Sequence, residues 1–267
     1  MWRLLINKTK FGLLRLLALV VASNLILSFC VLLSLSAHKI DVPFLTKPSA
    51  ESHEIDPALD RQQPLENNAA PGFIFYDLPL PGWAKGFRIP IDGAEIPQNA
   101  GLLPGAARSY RNGQHEGVDI YCAYGTPVLA SKDGYILSVG ADYHDLPKVL
   151  RDRLLAITKN LFSTPSEVTD ALHGRRVLLD HGISDGRWVV TVYSHLSDVE
   201  KNLKPGTFVK QGHIIGRVGN SGTSKAGTNN DSHLHFEIRV NDHNLGEGMS
   251  PKEAGKLYSA IINGGIK

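Results

Sequence analysis

The stretch Ser232-His233-Leu234-His235-Phe236-Glu237 alternates polar and apolar residues and places two imidazoles two positions apart. A period of two reads as a β-strand, with Leu234 and Phe236 on the core face and both histidines on the other. Neutral imidazole is a common zinc ligand, so the pair points to a metal. Two further stretches carry groups of the same kind. His115-Glu116-Gly117-Val118-Asp119 adds an imidazole and a carboxylate, and Tyr193-Ser194-His195-Leu196 adds another imidazole. Together His115, Asp119 and His235 would offer two nitrogens and one oxygen to a metal. That set leaves a fourth tetrahedral position open for water, as catalytic zinc sites do and structural ones do not. Zinc lowers the pKa of a bound water from about 15.7 to about 7. The chain has no His-Glu-x-x-His helix, so the base and the oxyanion donor must come from elsewhere. His195 and His233 are the residues of the right type.

These groups need rigid elements beneath them, and the sequence from Gly86 onward supplies short β-rich runs divided by glycine and proline. Phe87–Ile91 opens the series, and Val118–Tyr121 follows with Asp119 on the face opposite Val118 and Ile120. Pro127–Ala130, Gly134–Val139, Arg176–Asp180 and Trp188–His195 continue it. Gly206–Gly212 and Ile214–Gly219 read as a hairpin, and a glycine- and asparagine-rich loop, 220–231, leads into the histidine strand. Short strands at this spacing predict a mainly β, antiparallel domain. One segment, about 141–175, breaks the pattern: Leu146, Val149, Leu150, Leu154, Ile157 and Leu161 fall at helical spacing. Thr164-Pro165-Ser166-Glu167 announces a second helix by a capping box with proline at its first position. This helical insertion reads as structural filling, packed on the sheet or at the edge of a cleft.

The front of the chain is different. Arg3, Lys8, Lys10 and Arg15 precede a charge-free run, 16–37, and no acidic residue occurs before Asp41. A helix over 16–37 would span about 33 Å, against about 30 Å of bilayer hydrocarbon. It is read as an N-terminal transmembrane signal-anchor, with 1–15 cytoplasmic and the rest exported. A cleaved signal peptide ending near Ser34-Leu35-Ser36 is the alternative. Residues 38–85, with scattered prolines and no apolar period, read as a flexible linker and lead-in segment. The folded domain is expected over 86–252, with 253–267 as a C-terminal tail. The net charge of +2 gives no field that would argue for nucleic acid. Cys30 and Cys122 form no disulfide framework, and Cys122 reads as a small buried hydrophobe.

In their order, the His115-x-x-x-Asp119 pair, Tyr193-Ser194-His195-Leu196, the Gly-x-x-Val-x-x-Gly-x-x-Ile-Gly run from Gly206 to Gly216, and His233-Leu234-His235-Phe236-Glu237 resemble the lysostaphin/LytM-type zinc metallopeptidases. The resemblance implies an antiparallel β fold with a groove, one zinc ion held by His115, Asp119 and His235, and catalytic roles for His195 and His233. It also implies peptide-bond hydrolysis in the peptidoglycan of the bacterial cell wall. With the anchor read from 16–37, the domain is expected on the extracytoplasmic side of the membrane. The loop 223–232 and the insertion depart from the family pattern, and both border the expected groove. A non-catalytic relative that activates another wall hydrolase is the rival reading, although no ligand position is lost here. No wall or divisome protein partner can be read from the chain.

Other residues carry less. His181 reads as structural and His213 as a solvated turn residue. His38, His53, His144, His173 and His243 have no supporting neighbours and receive no role. Glu116 and Glu237 could contact the metal ligands from behind, but solvated positions are the favoured reading, and Arg108, Tyr110 and Arg111 read as groove or loop residues.

Overall fold

The computed structural model describes residues 80–264. The anchor expected over 16–37, the cytoplasmic segment 1–15 and the linker up to residue 79 lie outside the described residues. Among the described residues no helix is long and apolar enough to cross a membrane.

Twelve strands and three α-helices make up the described part. A small hairpin, β1 (Ala107–Arg108) with β2 (Gly113–Gln114), leads into β3 (Val118–Tyr121). Next come β4 (Pro127–Leu129), β5 (Gly134–Val139), helices α1 (Lys148–Thr158) and α2 (Ser166–His173), β6 (Val177–Ser184) and β7 (Arg187–Ser194). The chain continues through β8 (Leu196–Val199), β9 (Phe208–Val209), β10 (Ile214–Val218), β11 (His233–Val240), β12 (His243–Asn244) and α3 (Pro251–Ile262). The large sheet runs β12-β11-β7-β6-β5-β9, with β3 on the free edge of β11; a second sheet runs β4-β10-β8. Every pairing is antiparallel. The mainly β fold with a helical insertion therefore stands.

Alternation builds the centre of the sheet. Val118 and Ile120 of β3, and Leu234, Phe236 and Ile238 of β11, point into one apolar core, joined there by Val177, Leu179 and Tyr193. Removal of such surface from water is the main force holding the strands in this register, because a slip of one residue would turn the core set outward. The polar residues between them are thereby committed to the opposite face.

Five expectations change. Phe87–Ile91 is no strand: Pro90 offers no N–H, and the segment lies along residues 129–131 through single bonds, Arg88 N to Ser131 O and Leu129 N to Pro90 O. Gly206–Gly219 is no hairpin either. Its two strands part at the Gly212 turn, β9 joining β5 and β10 joining β4 and β8. The capping box expected at Thr164 does not form. Pro165 is the N-cap of α2, no side chain caps it, and the Thr164 hydroxyl donates to Arg111 O at 2.7 Å. A true capping box stands at Ser250 and Glu253, with Pro251 at the first turn of α3. Helix α3 occupies most of the expected tail 253–267 and buries Leu257, Tyr258 and Ile261 in the core, so the domain extends past residue 252. Leu80 and Trp83, from the expected lead-in, are buried in the same core.

Candidate metal centre

The register of β11 sets the site. His235 pairs with Asp119 of β3 on one side and with Ser194 of β7 on the other, while His233 faces Tyr121. His195 follows β7 directly and has φ +61, a left-handed backbone that turns the chain at the strand end. His115 precedes β3 and is fixed by backbone bonds to residues 105 and 106. Between His115 and Asp119, Gly117 lies so close to β11 that a Cβ would collide with Phe236 O, which explains the glycine in that motif.

Three distant pieces of chain thus bring their polar atoms together. His115 Nε2 and His235 Nδ1 each lie 2.9 Å from Asp119 Oδ1 and 3.0 Å from one another. His233 Nε2 is 3.8 Å from the same oxygen. The His195 ring stands 4.7 Å from that of His233 and 5.7 Å from that of His235. All five expected site residues, His115, Asp119, His195, His233 and His235, line one groove of about 410 Å³. Arg108, Tyr110 and Arg111 line it too, so they belong to the groove and not merely to a loop.

The outer hydrogen bonds decide which ring nitrogen faces inward. His115 Nδ1 lies 3.1 Å from Leu103 O, His195 Nδ1 2.8 Å from Ser221 O, and His233 Nδ1 2.8 Å from Asp231 O. His235 Nε2 lies 3.0 Å from Glu237 Oε1. Each of these acceptors takes an N–H, so the other nitrogen of each neutral ring carries a bare lone pair into the groove. Two such lone pairs and a carboxylate oxygen within 3.0 Å of one another repel unless a positive charge sits among them. His115, Asp119 and His235 form one of two groups among the described residues whose ligand atoms could hold a metal ion, and their chemistry fits a zinc-type cation.

The electrostatics point the same way. Burial opposes charge on Asp119, yet its bonds with His115 and His235 hold its carboxyl well below the usual carboxylate range. Burial also works against a cationic His235, but Asp119 and Glu237 outweigh it and raise that imidazole to about 10. The two carboxylates thus stabilise positive charge at this ring. Burial lowers His115, and burial with the adjoining His233 and His235 holds His195 well below its ordinary value. His195 is therefore a neutral acceptor.

Around these groups the structure places residues to which sequence reading assigned a lesser role or none. Glu237, expected to be solvated, has no exposed surface. Its parity with His233 and His235 was the available signal, since alternation puts all three on one face. Glu116 is also drawn inward, with Arg111 Nη2 at 2.7 and 2.6 Å from its two oxygens. His173, expected to have no role, is buried with its ring stacked on His235, the centroids 5.1 Å apart. Nothing local to His173 signals that contact. Tyr121 stacks on His233 at 4.9 Å and donates its hydroxyl to Asp231 at 2.9 Å, steadying the loop end that orients His233. In the long loop before it, Asn220 Nδ2 donates to the carbonyls of Lys225, Thr228 and Asn230 and so gathers the turn from within. His181 is structural as expected, bridging Asp133 O and Thr191 Oγ1, and His213 is exposed beside a turn. Cys122 is only half-buried.

Residues 161–246 match the model of Peptidase family M23. The matched stretch, less than half of the chain, is similar to that family. The M23 match holds His195, His233 and His235, and the fold brings His115 and Asp119 to them from before its start. An uncharacterized metalloprotease of Haemophilus influenzae is 32% identical over 127 residues, 48% of this chain and 19% of its own length. Lysostaphin of Staphylococcus simulans is 30% identical over 139 residues, 52% of this chain and 21% of its own. The chain thus spans about a fifth of the length of these curated relatives. Among solved structures, a zinc-containing peptidase from Vibrio cholerae is 21% identical, covering 60% of this chain and 39% of its own, with a TM-score of 0.40. The catalytic domain of lysostaphin is 26% identical, covering 58% and 77%, with a TM-score of 0.31.

Proposed function

We propose that the chain is a zinc-dependent endopeptidase that hydrolyses peptide bonds in the stems or cross-bridges of bacterial peptidoglycan. His115, Asp119 and His235 hold the ion, and His195 and His233 are the catalytic histidines. The observation that carries this reading is the convergence of two outward-tied imidazoles and a carboxylate on one point of the groove wall. The M23 match and the likeness to lysostaphin support the reaction class and the substrate.

A zinc ion bound there supplies a Lewis acid for the carbonyl and lowers the pKa of a bound water to about 7. The chain's own residues do the rest. The groove seats the peptide so that its scissile carbonyl faces the centre. His195, kept neutral by burial, takes the proton of the attacking water on Nε2. His233, whose ring stands edge-on to that of His195 at 4.7 Å, shares in transferring that proton to the amine nitrogen as the C–N bond breaks. The products are one new carboxylate and one new amine.

The apolar run 16–37 completes the proposal as a membrane anchor that keeps the domain on the extracytoplasmic side, where the wall lies. The test is digestion of purified peptidoglycan by the purified full chain, followed by mass spectrometry of the soluble fragments. Cleavage at a peptide bond that stops with a chelator and returns with zinc is the expected result. A zinc-loaded chain that releases no fragment, yet stimulates an added wall amidase, would overturn catalysis in favour of a regulator.

A further inference from the structure

The helical insertion ends inside the metal centre. His173 is the last residue of α2, and its side chain is buried between Glu237 and the ring of His235. Glu237 Oε1 lies 3.0 Å from His235 Nε2 and 3.2 Å from His173 Nε2, while Oε2 accepts from Arg239 Nε at 2.7 Å. Arg176 Nη1 approaches His173 Nδ1 at 3.5 Å. Because arginine can only donate, Nδ1 is the accepting nitrogen and Nε2 carries the hydrogen on the Glu237 side. The approach of Nε2 to Glu237 is out of line for a hydrogen bond, so His173 acts on the carboxylate by proximity and on His235 by stacking. Glu116, His173 and His235 also form the second group whose ligand atoms converge. Arg111 already satisfies both Glu116 oxygens, so that group is balanced without an ion.

The main chain at the end of the insertion is tied to the catalytic His195. His195 N donates to His173 O at 2.9 Å, and Leu196 N donates to Arg175 O at 3.0 Å. Arg175 N donates to Ser221 Oγ at 2.8 Å, and Ser221 O is the acceptor that orients His195 Nδ1. Gly174, at φ +68, lets these backbones touch, since a Cβ there would strike Ser221 O.

We infer that His173 and Glu237 are positioning residues of the metal centre, which hold the His235 ring with Nδ1 toward Asp119, and that the insertion exists in part to deliver His173. The inference rests on the proposed metal site and deepens it. A ligand imidazole can turn over about its Cβ–Cγ bond, which would replace the inward Nδ1 lone pair by the Cδ2–H edge. The Glu237 carboxylate penalises that flip by leaving itself buried without its donor, and the stacked His173 ring fills the space the turning ring would sweep.

The test is the zinc dissociation constant of the full chain, by competition with a chromophoric chelator, together with the visible spectrum of the cobalt-substituted protein. Glu237→Gln, which keeps the shape and loses the charge, is expected to weaken zinc about 10- to 100-fold. His173→Phe, which keeps the stack and loses the polar edge, is expected to weaken it up to about 10-fold and to shift the cobalt bands. Thermal unfolding of the metal-free proteins separates positioning from general loss of structure. If His173→Phe does not fold, His173→Gln is judged by the same two readings. Folded variants that bind zinc as tightly as the wild type, with an unchanged cobalt spectrum, would overturn the inference alone. A wild-type chain that takes up no zinc overturns the metal site itself, and the inference with it.

Discussion

His235→Ala is expected to abolish both zinc retention and peptide cleavage. The residue gives the centre an inward nitrogen 2.9 Å from Asp119 Oδ1 and 3.0 Å from His115 Nε2. Alanine leaves one imidazole and one carboxylate, too few to hold zinc against water at low concentration. Loss of an outer hydrogen bond to a ligand costs about 10- to 100-fold in affinity, and loss of the ligand itself must exceed that. The variant also leaves Glu237 Oε1 buried without the His235 donor, although Arg239 still engages Oε2. The strand should survive, because the core face of β11 is formed by Leu234, Phe236 and Ile238. Zinc per chain by elemental analysis and fragment release from peptidoglycan check the two halves of this expectation. A variant that keeps one zinc and wild-type turnover would remove His235 from the ligand set.

His195→Ala is expected to behave differently: zinc stays and turnover falls about 10²- to 10⁴-fold, the range of a positioned acid–base group. The ring is tied through Nδ1 to Ser221 O and stands 5.7 Å from the His235 ring. It is close enough to take a proton from water at the centre, yet it is not among the three convergent ligand atoms. The loss should fall on kcat with little change in KM, since the rest of the groove lining that seats the peptide is untouched. A fall in zinc content equal to the fall in activity would make His195 a ligand instead.

Much of this site is visible in the chain because alternation is a strong rule. Leu234, Phe236, Val118 and Ile120 must face the core, so His233, His235 and Asp119 must face the groove, and antiparallel pairing then sets His235 opposite Asp119. The same rule carries Glu237 to the histidine face, where its charge misleads: a glutamate suggests water, but here Arg239, His235 and His173 compensate its burial. What alternation does not contain is the choice of strand partner. Phe208–Val209 and Ile214–Val218 flank a glycine turn as a hairpin would, and only the competing edges of β4, β5 and β8 send them into different sheets. The insertion shows the same limit. Its period marks α1 correctly, yet Val149 is 81% exposed and Leu155 lines the groove. Apolar spacing alone therefore fails to say which way the helix faces. His173 is the extreme case, since its partner Glu237 is far along the chain and no neighbouring residue hints at it.

The most direct measurement is an anomalous difference map from crystals of the zinc-loaded chain, recorded on both sides of the zinc absorption edge. The expected result is a single peak about 2.0 to 2.2 Å from His115 Nε2, His235 Nδ1 and an Asp119 oxygen. Density that places the ion elsewhere, or zinc-soaked crystals with no peak among these three residues, would contradict the assignment of the centre.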